Sequence, residues 1–173
     1  MLGRLHVGWY VFGAQAVLHW GRPRLTADID VTVQLGVTNS GRLVSAMQDA
    51  GFVLRVEGTP AFVEATRVFP FLHIASQWPL DMALGGPGLE EDFLRRAVPV
   101  ELAPGLHVPV ISVEDLIVTK VLAGRSKDLD DVRGIIAAQT NLDSKAVRTT
   151  LAMLEEALGI SDLLPVFDRV ACR

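Results

Sequence analysis

Arg24-Leu25-Thr26-Ala27-Asp28-Ile29-Asp30-Val31-Thr32-Val33 is the stretch that decides the fold. The β-branched run from Ile29 to Val33 reads as a strand, and Asp28 and Asp30 open it at positions i and i+2, so both carboxylates leave the same face. Two ionised carboxylates about 4 Å apart repel by roughly 4 kcal/mol at an effective dielectric near 20, so the pair calls for a cation or a proton. Ligands that are all oxygen favour Mg²⁺ or Mn²⁺, and Mg²⁺ is commonly held by one or two carboxylates together with substrate phosphates.

A third acid is available downstream. Asp81 is the lone charge in Trp78-Pro79-Leu80-Asp81-Met82-Ala83-Leu84, a run that otherwise reads as a buried strand. If that strand neighbours the one opened by Asp28 and Asp30, the acids line one cleft. Upstream, the apolar run Gly8 to Phe12 ends at Gly13, and Ala14 to Trp20 reads as a short helix stopped by Gly21. The start of such a helix offers backbone N–H groups and a positive dipole end to an anion.

This combination resembles the nucleotidyltransferases of the DNA polymerase beta superfamily, in which a Gly-Gly or Gly-Ser turn precedes an Asp-x-Asp strand and a third Asp. Gly13-Ala14 matches the turn, Asp28 and Asp30 the pair, and Asp81 the third acid. The fuller string includes Arg24-x-Thr26-x-Asp28-Ile29-Asp30 and Ser112-Val113-Glu114-Asp115-Leu116-Ile117, followed by Lys120, Arg125 and Lys127-Asp128. It is similar to the small bacterial branch with abortive-infection, type IV toxin-like members, over residues 8 to about 138.

The resemblance implies transfer of a nucleoside monophosphate from an NTP to an acceptor hydroxyl on RNA, protein or a small molecule. Asp28, Asp30 and Asp81 would hold Mg²⁺ or Mn²⁺. The amides after Gly13 and Ala14, with Arg24 and Lys120, would bind the triphosphate. A tRNA or protein acceptor and a cognate antitoxin are the partners this branch implies. Ala14 departs from the pattern, because the family's serine hydroxyl is missing while the backbone donors survive. That departure keeps a second class of function in view, a degenerate relative that binds a nucleotide or a partner without catalysis. A third reading is a toxin held inactive by its antitoxin.

At 173 residues, half of them apolar and 21% charged, the chain is long enough to bury a real core and is not disordered. Its longest apolar runs fall short of the roughly 20 residues that span a bilayer, and Met1 to His6 has no signal-peptide pattern. A lone Cys172 excludes an internal disulfide. The expected location is cytoplasmic. A net charge of −4 gives no general attraction for nucleic acid, although a local groove can still be basic.

The order of elements reads as α/β, a mixed sheet carrying the acids on adjacent strands, flanked by helices. Residues 1–110 are expected to form the nucleotidyltransferase core and residues 111–173 a mainly helical portion packed on it. Further helices are expected over Arg42 to Ala50, Leu89 to Ala97, Ser112 to Gly124, Asp128 to Gln139, Ser144 to Leu158 and Asp162 to Val170. Strands are expected at Phe52 to Val56, Ala61 to Ala65, Phe69 to Ala75, Leu80 to Leu84, Val98 to Leu102 and Leu106 to Val110.

A phosphatase Asp-x-Asp-x-Thr would need an apolar strand before the first Asp, and here a loop from Arg22 to Ala27 precedes it. Lys120 shares a helix face with Leu116, Ile117 and Val121, so it must snorkel, pair or reach a site. The readings are a contact to the triphosphate, neutralisation of the acid cluster, or a structural pair with an acid such as Asp131. Arg22 and Arg24 are loop cations ahead of the acids, suited to phosphate or to solvent. The four histidines lack metal-ligand spacing.

Overall fold

A computed structural model describes residues 2–36, 39–56 and 59–172. Met1 and Arg173, the outer ends of the two expected portions, lie outside the described residues. The chain divides into two compact units, Met1–Gln15 with Leu25–Ile111, and Ala16–Arg24 with Ser112–Arg173.

The first unit is built on a seven-stranded mixed sheet in the order β3-β4-β5-β2-β1-β7-β6. Its strands are β1 (Gly8–Phe12), β2 (Ile29–Gln34), β3 (Phe52–Leu54), β4 (Val68–His73), β5 (Pro79–Leu84), β6 (Val98–Ala103) and β7 (Leu106–Val110). β2 runs antiparallel to β1 and parallel to β5, with Asp30 opposite Phe12 on one side and Asp81 on the other. Period-two alternation sends Val31, Val33, Phe69, Phe71 and Met82 into one core, where helix α2 (Ser40–Asp49) contributes Leu43 and Met47. Asp30 and Asp81 therefore leave the opposite face. Asn39 starts α2 by accepting a hydrogen bond from the Arg42 N–H at 2.8 Å.

The strand expected over Ala61 to Ala65 is instead part of helix α3 (Thr59–Thr66). Pro60 in its first turn has the φ that a helix start needs, and Thr66 donates back to the Phe62 carbonyl four residues earlier. Val63 packs against the core while Ala61, Glu64 and Ala65 are exposed, so strand alternation has nothing to anchor it. Helix α4 (Leu89–Arg96) completes this unit after the Gly-Gly-Pro-Gly turn.

The second unit is helical. The later part of helix α1 (Gly13–Trp20) joins α5 (Val113–Ala123), α6 (Ser126–Ala138), α7 (Ser144–Leu158) and α8 (Leu163–Ala171). Ser112 caps α5 by accepting from the Asp115 N–H, and Gly124 ends it in the left-handed region at φ 62°. Val17, Ile117, Val121, Ile135, Leu151 and Phe167 are among its buried side chains. No helix among the described residues is long and apolar enough to cross a membrane.

Candidate active site

Asp28, Asp30 and Asp81 converge, with one carboxylate oxygen of each lying within 4.8 Å of the others. Register explains the second and third, because Asp30 and Asp81 are direct partners across the parallel β2–β5 pair. Asp28 precedes β2 and is fixed locally: Thr26 Oγ1 donates to its carboxylate at 2.7 Å and Gln15 Nε2 donates to its carbonyl at 3.3 Å. All three acids are half-buried.

Gly13 meets this cluster at the junction of β1 and α1. Its φ is +63°, and a Cβ there would lie 2.0 Å from Asp30 Oδ2, so only glycine fits at this approach. The next residue, Ala14, is buried. What α1 can offer an anion is thus the backbone N–H groups of its first turn, which have no partner within the helix.

Arg55 is the neighbour that sequence reasoning missed. Its guanidinium donates to Asp81 Oδ1, its Nε donates to the Phe71 carbonyl at 3.0 Å, and its backbone N–H donates to the Pro70 carbonyl at 2.8 Å. Pro70 lies opposite Asp81 in the β4–β5 pair, so the backbones of Arg55, Pro70, Asp81 and Asp30 form one row across the sheet. That row depends on pairing between distant segments, and no local spacing announces it. Thr26 had a local signal, a hydroxyl two residues from an Asp.

Arg24 and Lys120 belong to the helical unit. Lys120 Nζ donates to Asp128 and to Asp131, each at 2.9 Å, and Arg24 grips Asp131 through Nε at 2.8 Å and Nη2 at 3.0 Å. Arg125 adds a contact to Asp128 at 2.5 Å. Burial acts to raise the Asp128 carboxyl, but hydrogen bonds and charge from Arg125 and Lys120 outweigh it and hold the group below its ordinary range. Asp131 is lowered in the same way, burial being outweighed by Arg24 and Lys120. Both cations thus have carboxylate partners inside their own unit.

A cleft of about 480 Å³ is lined by Gln15, Ile29, Phe52, His73, Trp78 and Leu80, with Ser76 at its side. Ile29 and Leu80 are partners on the sheet face opposite Asp30 and Asp81. Among the described residues its lining has no Lys, Arg, Asp or Glu, which makes it unsuited to a triphosphate.

Comparison with known proteins bears on the fold and the family. The chain resembles a solution structure of the antibiotic-resistance factor ANT(2'')-Ia at 16% identity and a TM-score of 0.60, over 91% of this chain and 86% of that one. A crystal structure of ANT(2'')-Ia in complex with adenylyl-2''-tobramycin matches at 17% identity and a TM-score of 0.60, over 90% of this chain and 91% of that one. The lincomycin-bound lincosamide antibiotic adenylyltransferase LnuA matches at 15% and 0.53, over 80% of this chain and 91% of that one. At these identities the likeness shows the fold. No curated protein matches the chain in sequence. Residues 5–158 match the family model described as nucleotidyltransferase of unknown function (DUF6036), and the chain belongs to that family.

Proposed function

We propose that this chain moves a nucleoside monophosphate from an NTP to an acceptor hydroxyl, with loss of pyrophosphate. The observation that carries this reading is the convergence of Asp28, Asp30 and Asp81 oxygens within 4.8 Å, on the sheet row that Gly13 approaches. The donor set is all oxygen and half-buried, which fits Mg²⁺ or Mn²⁺. A divalent ion bound there supplies neutralisation of phosphate charge and a lowered pKa for a coordinated hydroxyl. Asp28, just before β2, and Asp30 on β2 hold two of the ligand positions, and Asp81 on β5 holds the third. Thr26 and Gln15 keep Asp28 in place.

The first-turn amides of α1 receive phosphate charge, a role that requires no side chain at Ala14. Arg24 and Lys120 act in this proposal through Asp131, fixing a carboxylate cluster within the helical unit rather than gripping the triphosphate. Residues 1–110 are the nucleotidyltransferase core in this scheme, and residues 111–173 are the helical portion. The fold likeness to structures bound to adenylyl-2''-tobramycin and to lincomycin supports a small-molecule acceptor over tRNA or protein. The net charge of −4 adds no general attraction for RNA. The proposed setting is the cytoplasm.

A second reading, nucleotide binding without transfer, is favoured by one observation: Ala14 stands buried where the family pattern has a hydroxyl. Pyrophosphate release separates the two. Each of the four NTPs is incubated with Mg²⁺ and, in turn, a small-molecule extract, total RNA and cell lysate. Release with a labelled acceptor, lost in Asp28→Asn/Asp30→Asn, supports transfer. Nucleotide binding with no release in any arm supports the second reading.

A further inference from the structure

The cleft of about 480 Å³ lies on the sheet face opposite the Asp30 and Asp81 side chains, floored by the Ile29–Leu80 pair of β2 and β5. All of its lining residues belong to the first unit. Phe52 and His73, partners across β3 and β4, bring two rings to it with centroids 4.8 Å apart, and Trp78 adds a third ring that is 44% exposed. The turn that carries Trp78 is tied down. The His73 N–H donates to the Trp78 carbonyl at 3.0 Å, the Gln77 N–H to the His73 carbonyl at 2.8 Å, and the Ser76 N–H to His73 Nδ1 at 3.3 Å. The cleft is therefore shaped before any ligand arrives.

Two polar groups of the lining have hydrogen-bonding capacity to spare among the described residues. Ser76 occupies His73 Nδ1, with its hydroxyl 2.7 Å away, so Nε2 is the ring nitrogen left for a ligand. Gln15 spends one N–H on the Asp28 carbonyl at 3.3 Å, and its amide oxygen has no protein partner. Apolar walls, a few polar groups and a volume in the range of roughly 300–1,000 Å³ are the properties of small-molecule sites. A charged ligand would give up its hydration here with no opposite charge in return. A neutral ring gains instead, by covering Trp78 and the Ile29–Leu80 floor. We propose that this cleft is a second ligand site, which takes one neutral, ring-bearing small molecule with a hydrogen-bonding group for the Gln15 amide or the His73 ring. Its chemistry stands apart from nucleotidyl transfer, since no acid lines it.

The test is titration of the ¹⁵N-labelled whole chain with indole, read in proton–nitrogen correlation spectra at the Trp78 ring N–H and the Gln15 side-chain amide, with Trp9 and Trp20 as internal references. Both cleft signals should shift and saturate with one Kd below about 1 mM, while Trp9 and Trp20 stay in place. Trp78→Ala should weaken indole about fivefold or more, read at Gln15, because a ring contact is lost. Trp78→Leu repeats the measurement if the alanine variant does not fold. Asp28→Asn/Asp30→Asn should bind indole as the unsubstituted protein does, which separates this site from the acid cluster. Inorganic triphosphate and spermidine, as charged probes, should leave Trp78 and Gln15 unshifted. Shifts that fail to saturate or that are equal at Trp9 and Trp20, indole affinity unchanged in the Trp78 variants or lost in the acid variant, or a response of the cleft to either charged probe overturns the inference. Trp78 shifts that follow protein concentration without probe also overturn it, because a second copy of the chain then covers the cleft.

Discussion

Gly13 and Asp30 stand so close that a methyl group on Gly13 would lie 2.0 Å from Asp30 Oδ2 and 2.7 Å from its Cγ. The contact links the end of β1 to the carboxylate on β2, and it needs a backbone at φ +63° that other L-residues resist. Gly13→Ala combines a backbone strain of about 1–2 kcal/mol with displacement of Asp30. Its far-ultraviolet circular dichroism should stay native, while Mg²⁺-dependent NTP affinity falls at least about tenfold by calorimetry, a loss of about 1.4 kcal/mol. Native affinity in the alanine variant would show that Asp30 is free to move without cost.

Ala14 is buried, so its side chain is packed rather than presented to a ligand. Ala14→Ser puts a hydroxyl into that packing and should lower stability by about 1 kcal/mol unless it finds a partner. Triphosphate affinity should stay within about twofold, because the backbone donors are unchanged. A clear gain in affinity would mean that the serine hydroxyl reaches the phosphates, and that its absence here weakens the site.

Lys120 is shared by two buried carboxylates, Asp128 and Asp131. Lys120→Met keeps most of the stem's packing but leaves those acids to Arg125 and Arg24 alone. The loss should be about 3 kcal/mol, in the range for breaking a buried ion pair, and is read as a lower denaturant midpoint. A native midpoint with weakened triphosphate binding would return Lys120 to the phosphate role that the resemblance implies.

The same network sets a pH dependence. Asp128 and Asp131 release their protons more readily folded than unfolded, so their contribution to stability is fully present above the unfolded carboxyl range of about pH 4. It is lost as pH falls through their lowered folded values. Melting temperature should drop more steeply below about pH 4 in the unsubstituted protein than in Asp128→Asn/Asp131→Asn. Parallel curves would show that other carboxyls dominate acid unfolding.

Much of this was legible in local pattern. The alternation from Ile29 to Val33, the Ser112 cap and the Gly124 stop are short-range features, and each appears in the structure at its expected place. Residues Ala61 to Ala65 were not legible, because five residues with two alanines carry no decisive period and the Pro60 start signal outweighs them. Asp81 was visible as a lone charge in an apolar run, yet its partner Arg55 was not. Their meeting requires β3, β4 and β5 to pair in one register, and sequence spacing does not encode that. Lys120 was recognisable as a charge in an apolar stripe, but its pairing with Asp128 and Asp131 needed the fold of α6 against α5.

In the proposed function Asp28 and Asp30 together hold the metal through which an NTP binds. Isothermal titration of Mg²⁺ with a non-hydrolysable NTP analogue into Asp28→Asn/Asp30→Asn tests it most directly, with a thermal melt of the free protein beside it. Metal-dependent binding should disappear while the free variant melts at or above the native temperature, since two like charges have been removed. Metal-dependent affinity equal to that of the unsubstituted protein would contradict the account.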